Sequence, residues 1–202
     1  MQPRLIVQQK ISAMVNKYRI FTPVPDGGNG NLVALAQQKR LALKEKVLFY
    51  TDEKRDKLSF TFRAEKTFDV HGRYFVEDAN GKLLGVFKKE FTESLINSTW
   101  KILDADGGEL FVIRESNQVL AILRRFLGWI PLVGEIAEMV LAFFKYHFDI
   151  SRSGSGELVG RYRKTTTFRA HYMLETTDAL WDTTDWRVLA AIGVALDALQ
   201  SR

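Results

Sequence analysis

The chain of 202 residues contains no cysteine, only four prolines and only three histidines. The missing cysteine removes thiol catalysis, iron–sulfur clusters, Cys-ligated zinc and disulfides, while leaving the redox compartment open. With 46% hydrophobic, 12% aromatic and 26% charged residues, the composition also excludes a disordered or collagen-like chain. His71, His147 and His171 have neither another histidine nor a suitably placed carboxylate at i,i+3 or i,i+4, so no metal motif forms and ordinary hydrogen-bonded histidines are expected. Gly27-Gly-Asn-Gly30 lacks the Gly-Lys-Ser/Thr ending of a phosphate loop and reads as a hairpin loop. Ser153-Gly-Ser155-Gly lies between two expected strands and not before a helix, so it is no nucleophile elbow. No nucleophile or base is nominated, and the expectation is a non-enzymatic protein without cofactor or metal. The first ten residues offer too few apolar side chains for a signal peptide, which makes a cytoplasmic home, with peripheral membrane association, the expectation.

What is present is β structure. Leu58–Arg63 alternates apolar and polar residues as a half-buried strand does. Arg73–Asp78, Ala79-Asn80-Gly81 and Lys82–Phe87 form a hairpin signal, because Asn-Gly supplies the positive φ that a tight turn requires. Thr99–Asp104, Ala105–Gly108 and Glu109–Ile113 repeat the design, with looser copies starting at Tyr18 and Phe148. Further strands are expected at Lys46–Thr51 and Thr167–Leu174. The irregular spacing of the copies excludes a solenoid and points to a meander of antiparallel hairpins closing into a barrel or sandwich.

Two segments break the pattern. Thr183-Thr184-Asp185 offers N-cap oxygens to a helix over about 185–199. From Val188 to Leu196 it runs nine residues without a polar side chain, so it must be enclosed on all sides. Its length of about 20 Å is short of the ~30 Å of a bilayer core. A thin helix of this kind belongs inside a closed barrel. Asp178, Asp182 and Asp185 precede it, where negative charge favours a helix N-terminus; a metal or acid/base site is the alternative. The second segment, Phe126–Phe144, predicts an amphipathic helix at about 131–145, with Ile136, Val140 and Phe143 on its apolar stripe. Arg124, Arg125 and Trp129 resemble the basic and aromatic anchors of a membrane-interface element, although a lid over the barrel end explains the same pattern.

The two Asp/Gly hairpins, the Gln8-Gln9-Lys10 to Tyr18–Phe21 segment and the closing Asp185–Asp197 helix together resemble the tubby-like C-terminal fold, and within it the LURP-one-related and phospholipid-scramblase group. The resemblance covers nearly the whole chain and implies a single domain over residues 1–202, mainly β. It implies a closed antiparallel barrel of about twelve strands around a central hydrophobic C-terminal helix; Phe126–Phe144 departs from the family pattern and reads as an insertion between strands. Tubby proteins bind phosphoinositides through a basic pocket, so it also implies recognition of anionic lipid. Scramblases add palmitoylated cysteines, which this chain cannot have, and a calcium-binding acidic segment. The nearest match here, Asp104–Glu109, lacks the closing ligands and reads as a hairpin turn.

The net charge of +5, from 29 basic and 24 acidic residues, is spread without a dense basic run. Arg161, Arg163 and Lys164 form the basic face nominated for an anionic headgroup, with Arg124 and Arg125 beside the inserted helix. The same alternation equally describes Tyr162 turned inward with the arginines in solvent. The leading expectation is a peripheral membrane module for anionic phospholipid or phosphoinositide. The alternative is a scaffold that binds itself or another protein through the 131–145 helix. The basic face of Arg161 and Arg163 could track the phosphates of a lipid headgroup or of a nucleic acid, but there is no strong nucleic-acid signal.

Overall fold

A computed structural model describes residues 1–11, 15–39, 46–65, 72–104 apart from 92–97, 106–116, 147–165 and 171–200. Twelve strands follow one another: β1 (Gln2–Ile11), β2 (Val15–Pro23), β3 (Asn29–Lys39), β4 (Lys46–Tyr50), β5 (Leu58–Ala64), β6 (Arg73–Asp78), β7 (Leu83–Phe91), β8 (Ser98–Leu103), β9 (Glu109–Glu115), β10 (His147–Arg152), β11 (Leu158–Lys164) and β12 (His171–Thr176). Each pairs antiparallel with the next, and β12 returns to β1 through Val7 opposite Tyr172, closing the barrel. Two helices complete the chain, a short α1 (Asp178–Thr183) and α2 (Trp186–Gln200).

The strand period of two sorts the side chains. On β4, Val47 and Phe49 point inward and are buried; on β5, Phe60 and Phe62 do the same; on β11, Tyr162 is fully buried between two arginines on the outer face. Rings fill one side of the interior. Phe49 stacks on Phe60 with centroids 4.1 Å apart, Tyr74 stacks on Phe87 at 5.1 Å, and Phe62 meets Phe87 edge-on at 5.7 Å.

α2 occupies the rest, with Val188 to Leu196 entirely buried, as the unbroken apolar run requires. Each of its large side chains (Val188, Leu189, Ile192, Val194 and Leu196) contributes about 1.5–3 kcal/mol by leaving water. Glycine sets how closely helix and wall approach: a Cβ at Gly85 of β7 would lie 2.8 Å from Val188, so the wall must be bare there. The helix is tied by a hydrogen bond as well, the Tyr162 hydroxyl donating to the Leu189 carbonyl at 2.7 Å.

α2 gives the barrel two distinguishable ends. At the turn end, where α2 begins, Asp78 accepts from the backbone N–H groups of Asn80 and Lys82 at 2.8 and 2.9 Å. Asp104 likewise accepts from Asp106 and Gly108 at 2.9 and 2.7 Å, which confirms the hairpin-turn reading of Asp104–Glu109. Gly81 and Gly107 carry the positive φ these turns need, +84° and +87°. At the opposite end, where α2 finishes, β1, β3, β5, β7, β9 and β11 end. The expected helix at 131–145 lies outside the described residues. α1 was not foreseen: six residues with Leu180 alone buried are too short for a periodic signal.

Candidate functional site

The barrel's outer face at the end where α2 finishes holds a pattern that only strand register reveals. Lys10 of β1 stands directly opposite Lys17 of β2. Lys46 of β4 faces Arg63 of β5, Arg73 of β6 faces Lys88 of β7, and Lys88 in turn faces Lys101 of β8. Like charges directly opposite one another on adjacent strands destabilise a sheet. Part of the set is compensated. Glu90 and Glu109 bridge Lys88 and Lys101 with four contacts of 2.5–3.3 Å, and Glu77 holds Arg63 at 2.8 Å. The hydrogen bond from Lys101 holds the Glu109 carboxyl below its ordinary range, against burial. Burial works to raise the Glu90 carboxyl, and the two lysines outweigh it. Lys10, Lys17, Lys46, Arg73 and Arg114, by contrast, have no carboxylate within 4 Å among the described residues, and Lys10, Lys46, Arg73 and Arg114 are exposed.

The turn end has the opposite sign. Its hairpins carry Asp26, Asp52, Glu53, Asp56, Asp78, Asp104, Asp106 and Glu157 against Lys54, Arg55, Lys57 and Lys82, and Asp178, Asp182 and Asp185 add to them around α1; Arg4, Arg19, Arg152 and Arg187 pair with Asp178, Glu53, Glu157 and Asp185 and still leave acids in excess. The macrodipole of α2 runs the complementary way, with its positive terminus at the acidic end and its negative terminus at the basic one.

The nominated basic strand is placed as follows. Arg161 and Arg163 share the outer face of β11, but each is committed: Arg161 Nε donates to Asp149 at 2.5 Å, and Arg163 donates to Glu175 at 2.9 Å and to the Met173 sulfur at 3.5 Å. Lys164 does not share that face. It lies on the Tyr162 side of the strand, half-buried, where its charge acts on the Asp197 carboxyl of α2. There the Tyr18 hydroxyl donates to Asp197 at 2.8 Å and receives a bond from Gln9 at 3.3 Å. Burial pushes the Asp197 carboxyl up and, with Asp197 beside it, the Tyr18 phenol up as well. Arg124, Arg125, Trp129, Ile136, Val140 and Phe143 lie outside the described residues. The residues flanking their segment are placed: the Ser116 N–H donates to the His147 carbonyl at 2.8 Å, so the chain leaves and re-enters the barrel at one point on the basic end.

Other chemistry is sparse among the described residues. No group of three His, Cys, Asp or Glu side chains is arranged to hold a metal ion there. His171 has a buried Nε2 without a hydrogen-bond partner among the described residues, and burial lowers its pKa by disfavouring the charged ring. No helix among the described residues is long and apolar enough to cross a membrane.

A closed twelve-stranded barrel threaded by its own C-terminal helix, with its core filled and its charge sorted between its ends, defines a class of β-barrel proteins whose available surfaces are outside. The LURP-one-related family model matches residues 32–197, most of the barrel and nearly all of α2. The chain belongs to the LURP-one-related family. A search of the curated proteins finds no match.

Proposed function

We propose that this protein is a non-enzymatic binding module that recognises anionic phospholipid at a membrane surface, presenting the basic end of its barrel to the headgroups. The observation that carries the reading is the Lys10–Lys17 pair, joined at the same end by Lys46, Arg73 and Arg114, all without a carboxylate partner among the described residues. Among the described residues acids reach Lys88, Lys101 and Arg63 but none of these five, which supports their charge being available to a ligand. Each base near an anionic surface contributes about 1 kcal/mol, so five suffice for reversible docking at physiological salt. The negative turn end disfavours the reverse orientation. Residues 117–146, whose flanks meet at this end, bring the nominated Arg124, Arg125 and Trp129 into the same reading.

The test is flotation of the purified protein with vesicles of neutral phosphatidylcholine alone or mixed with phosphatidylserine or a phosphoinositide, at low and high salt. Flotation that requires the anionic lipid and fades as the ~8 Å Debye length shortens is the expected result. Absence of flotation at low salt on every anionic composition refutes the reading.

A further inference from the structure

Beside its acids, the turn end carries exposed apolar side chains. Leu83, Leu110 and Leu158, at or next to the first residues of β7, β9 and β11, are 42%, 37% and 39% exposed. Val24, in the connection from β2 to β3, lies at the same end and is 38% exposed. Together with Met1 before β1, these are the large apolar side chains exposed among the described residues. Leu83 and Leu110 come together across β8, because both line one recess that also includes Asp104 and Asp185 and has no lysine or arginine in its wall. A single exposed leucine is ordinary, whereas leucines gathered on one face and bordered by charge of one sign mark a surface that a partner covers.

Charge decides which partner. Glu157, next to Leu158, is matched by Arg152, and Asp185 by Arg187. Asp78, Asp104, Asp106 and Asp182 have no lysine or arginine within 4 Å among the described residues. Such a face repels an anionic occupant, whether lipid or nucleic acid, and favours a basic one. The chain itself provides that surface, since Lys10, Lys17, Lys46, Arg73 and Arg114 lie at the opposite end without a carboxylate among the described residues. Lysine suits an acidic face set with leucine: its aliphatic stem lies on the apolar groups while its ammonium reaches a carboxylate.

We propose that the turn end docks the basic end of a second copy of this chain, with lysine stems covering Leu83 and Leu110 and their ammonium groups meeting Asp104, Asp106 and Asp182. The two faces differ and lie at opposite ends of the barrel, so the contact is heterologous. Each added copy leaves one free face of each kind, and the contact repeats into an end-to-end stack. Lipid docking is not needed for it, and a copy bound to a membrane by its basic end still offers its turn end to the next.

The test is sedimentation velocity of the purified full chain, without vesicles, at low and high ionic strength. Association that grows with protein concentration at low salt and disappears at high salt is expected. Two variants divide the contact: Asp106→Asn with Asp182→Asn on the turn end, where both side chains are exposed, and Lys10→Gln with Lys17→Gln on the basic end. Each alone should weaken association roughly fivefold or more. An equimolar mixture of the two should regain wild-type affinity but stop at a dimer, because one variant keeps the basic face and the other keeps the turn face. Thermal midpoints equal to that of the wild type show that both variants are folded. A wild type that stays monomeric at low salt, association indifferent to both variants, or a mixture no stronger than its parts would each overturn the proposal; the first outcome leaves a basic segment of another protein as the occupant. Since no lipid is present, failure here and failure of vesicle flotation are read separately.

Discussion

At the turn end of the barrel, Asp78 and Asp104 each direct a carboxylate onto backbone N–H groups of their own hairpin, and Asp185 is matched by Arg187. At the other end, Lys10, Lys17, Lys46, Arg73 and Arg114 receive no carboxylate among the described residues, and two of them stand directly opposite each other. Charge at the first end serves the fold; charge at the second works against it. Proteins hold such local conflicts where function asks for them, so the end that is worse for stability is the better place to look for a ligand.

The largest expected effect separates the ends by binding. Lys10→Glu with Lys17→Glu should weaken docking on anionic vesicles by at least roughly thirtyfold, from about 1 kcal/mol per base. The matching reversal of Lys54 and Lys57 at the turn end should change it less than about twofold. Flotation titrations on both double variants measure the contrast. Next in size is Gly85→Ala, whose new Cβ would meet Val188 at 2.8 Å and force helix and wall apart; a loss of about 1–3 kcal/mol is expected in urea unfolding. Asp78→Ala, which strands two turn N–H groups that water reaches, should cost about 1 kcal/mol by the same assay.

Inside the basic end, Asp197 yields a prediction in pH. Burial raises its carboxyl above the unfolded value, so folding favours the protonated form. Its contribution is complete below the ordinary carboxylate range and is lost as pH rises through the raised value. Asp185, where Arg187 outweighs burial, runs the other way: its contribution is present above the ordinary range and is lost as pH falls through the lowered value. Asp197→Asn should therefore gain stability relative to wild type between about pH 4 and pH 7, a trend read from urea midpoints across that window. The smallest effect has the opposite sign to Asp78→Ala: Lys17→Thr relieves a like-charge pair and should stabilise by about 0.3 kcal/mol while weakening vesicle binding.

How much of this was legible in the chain depended on whether the cause was local. β6, the Asn80-Gly81 turn and β7 follow from alternation and from residues that tolerate positive φ, and the structure places β6 at Arg73–Asp78 as expected. The buried α2 follows from nine apolar residues in succession. β1 was harder to read, since Gln8-Gln9-Lys10 carries no apolar alternation; Gln9 sits on the Tyr18 side, where its amide donates to the Tyr18 hydroxyl, which in turn donates to Asp197. The basic face of β11 was half legible: the arginines do share a side, but Asp149 and Glu175 come from the neighbouring strands, and Lys164, grouped with them by adjacency, falls on the other side. The Lys10–Lys17, Lys46–Arg63 and Arg73–Lys88 pairs depend on register, which composition and spacing leave open. A signal was present in Lys10 and Lys17 on either side of a short hairpin connection, but a slip of one residue would have placed one of them inside the barrel.

The claim that the two ends differ in function is tested most directly by NMR with a spin-labelled lipid in phosphatidylserine-containing vesicles, reading which backbone amides broaden. The account predicts broadening of Lys10, Lys17, Lys46, Arg73 and Arg114, with Asp78–Lys82 and Asp106–Gly108 unaffected. Broadening of those turns with the Lys10–Lys17 amides left sharp, or equal broadening at both ends, would contradict it.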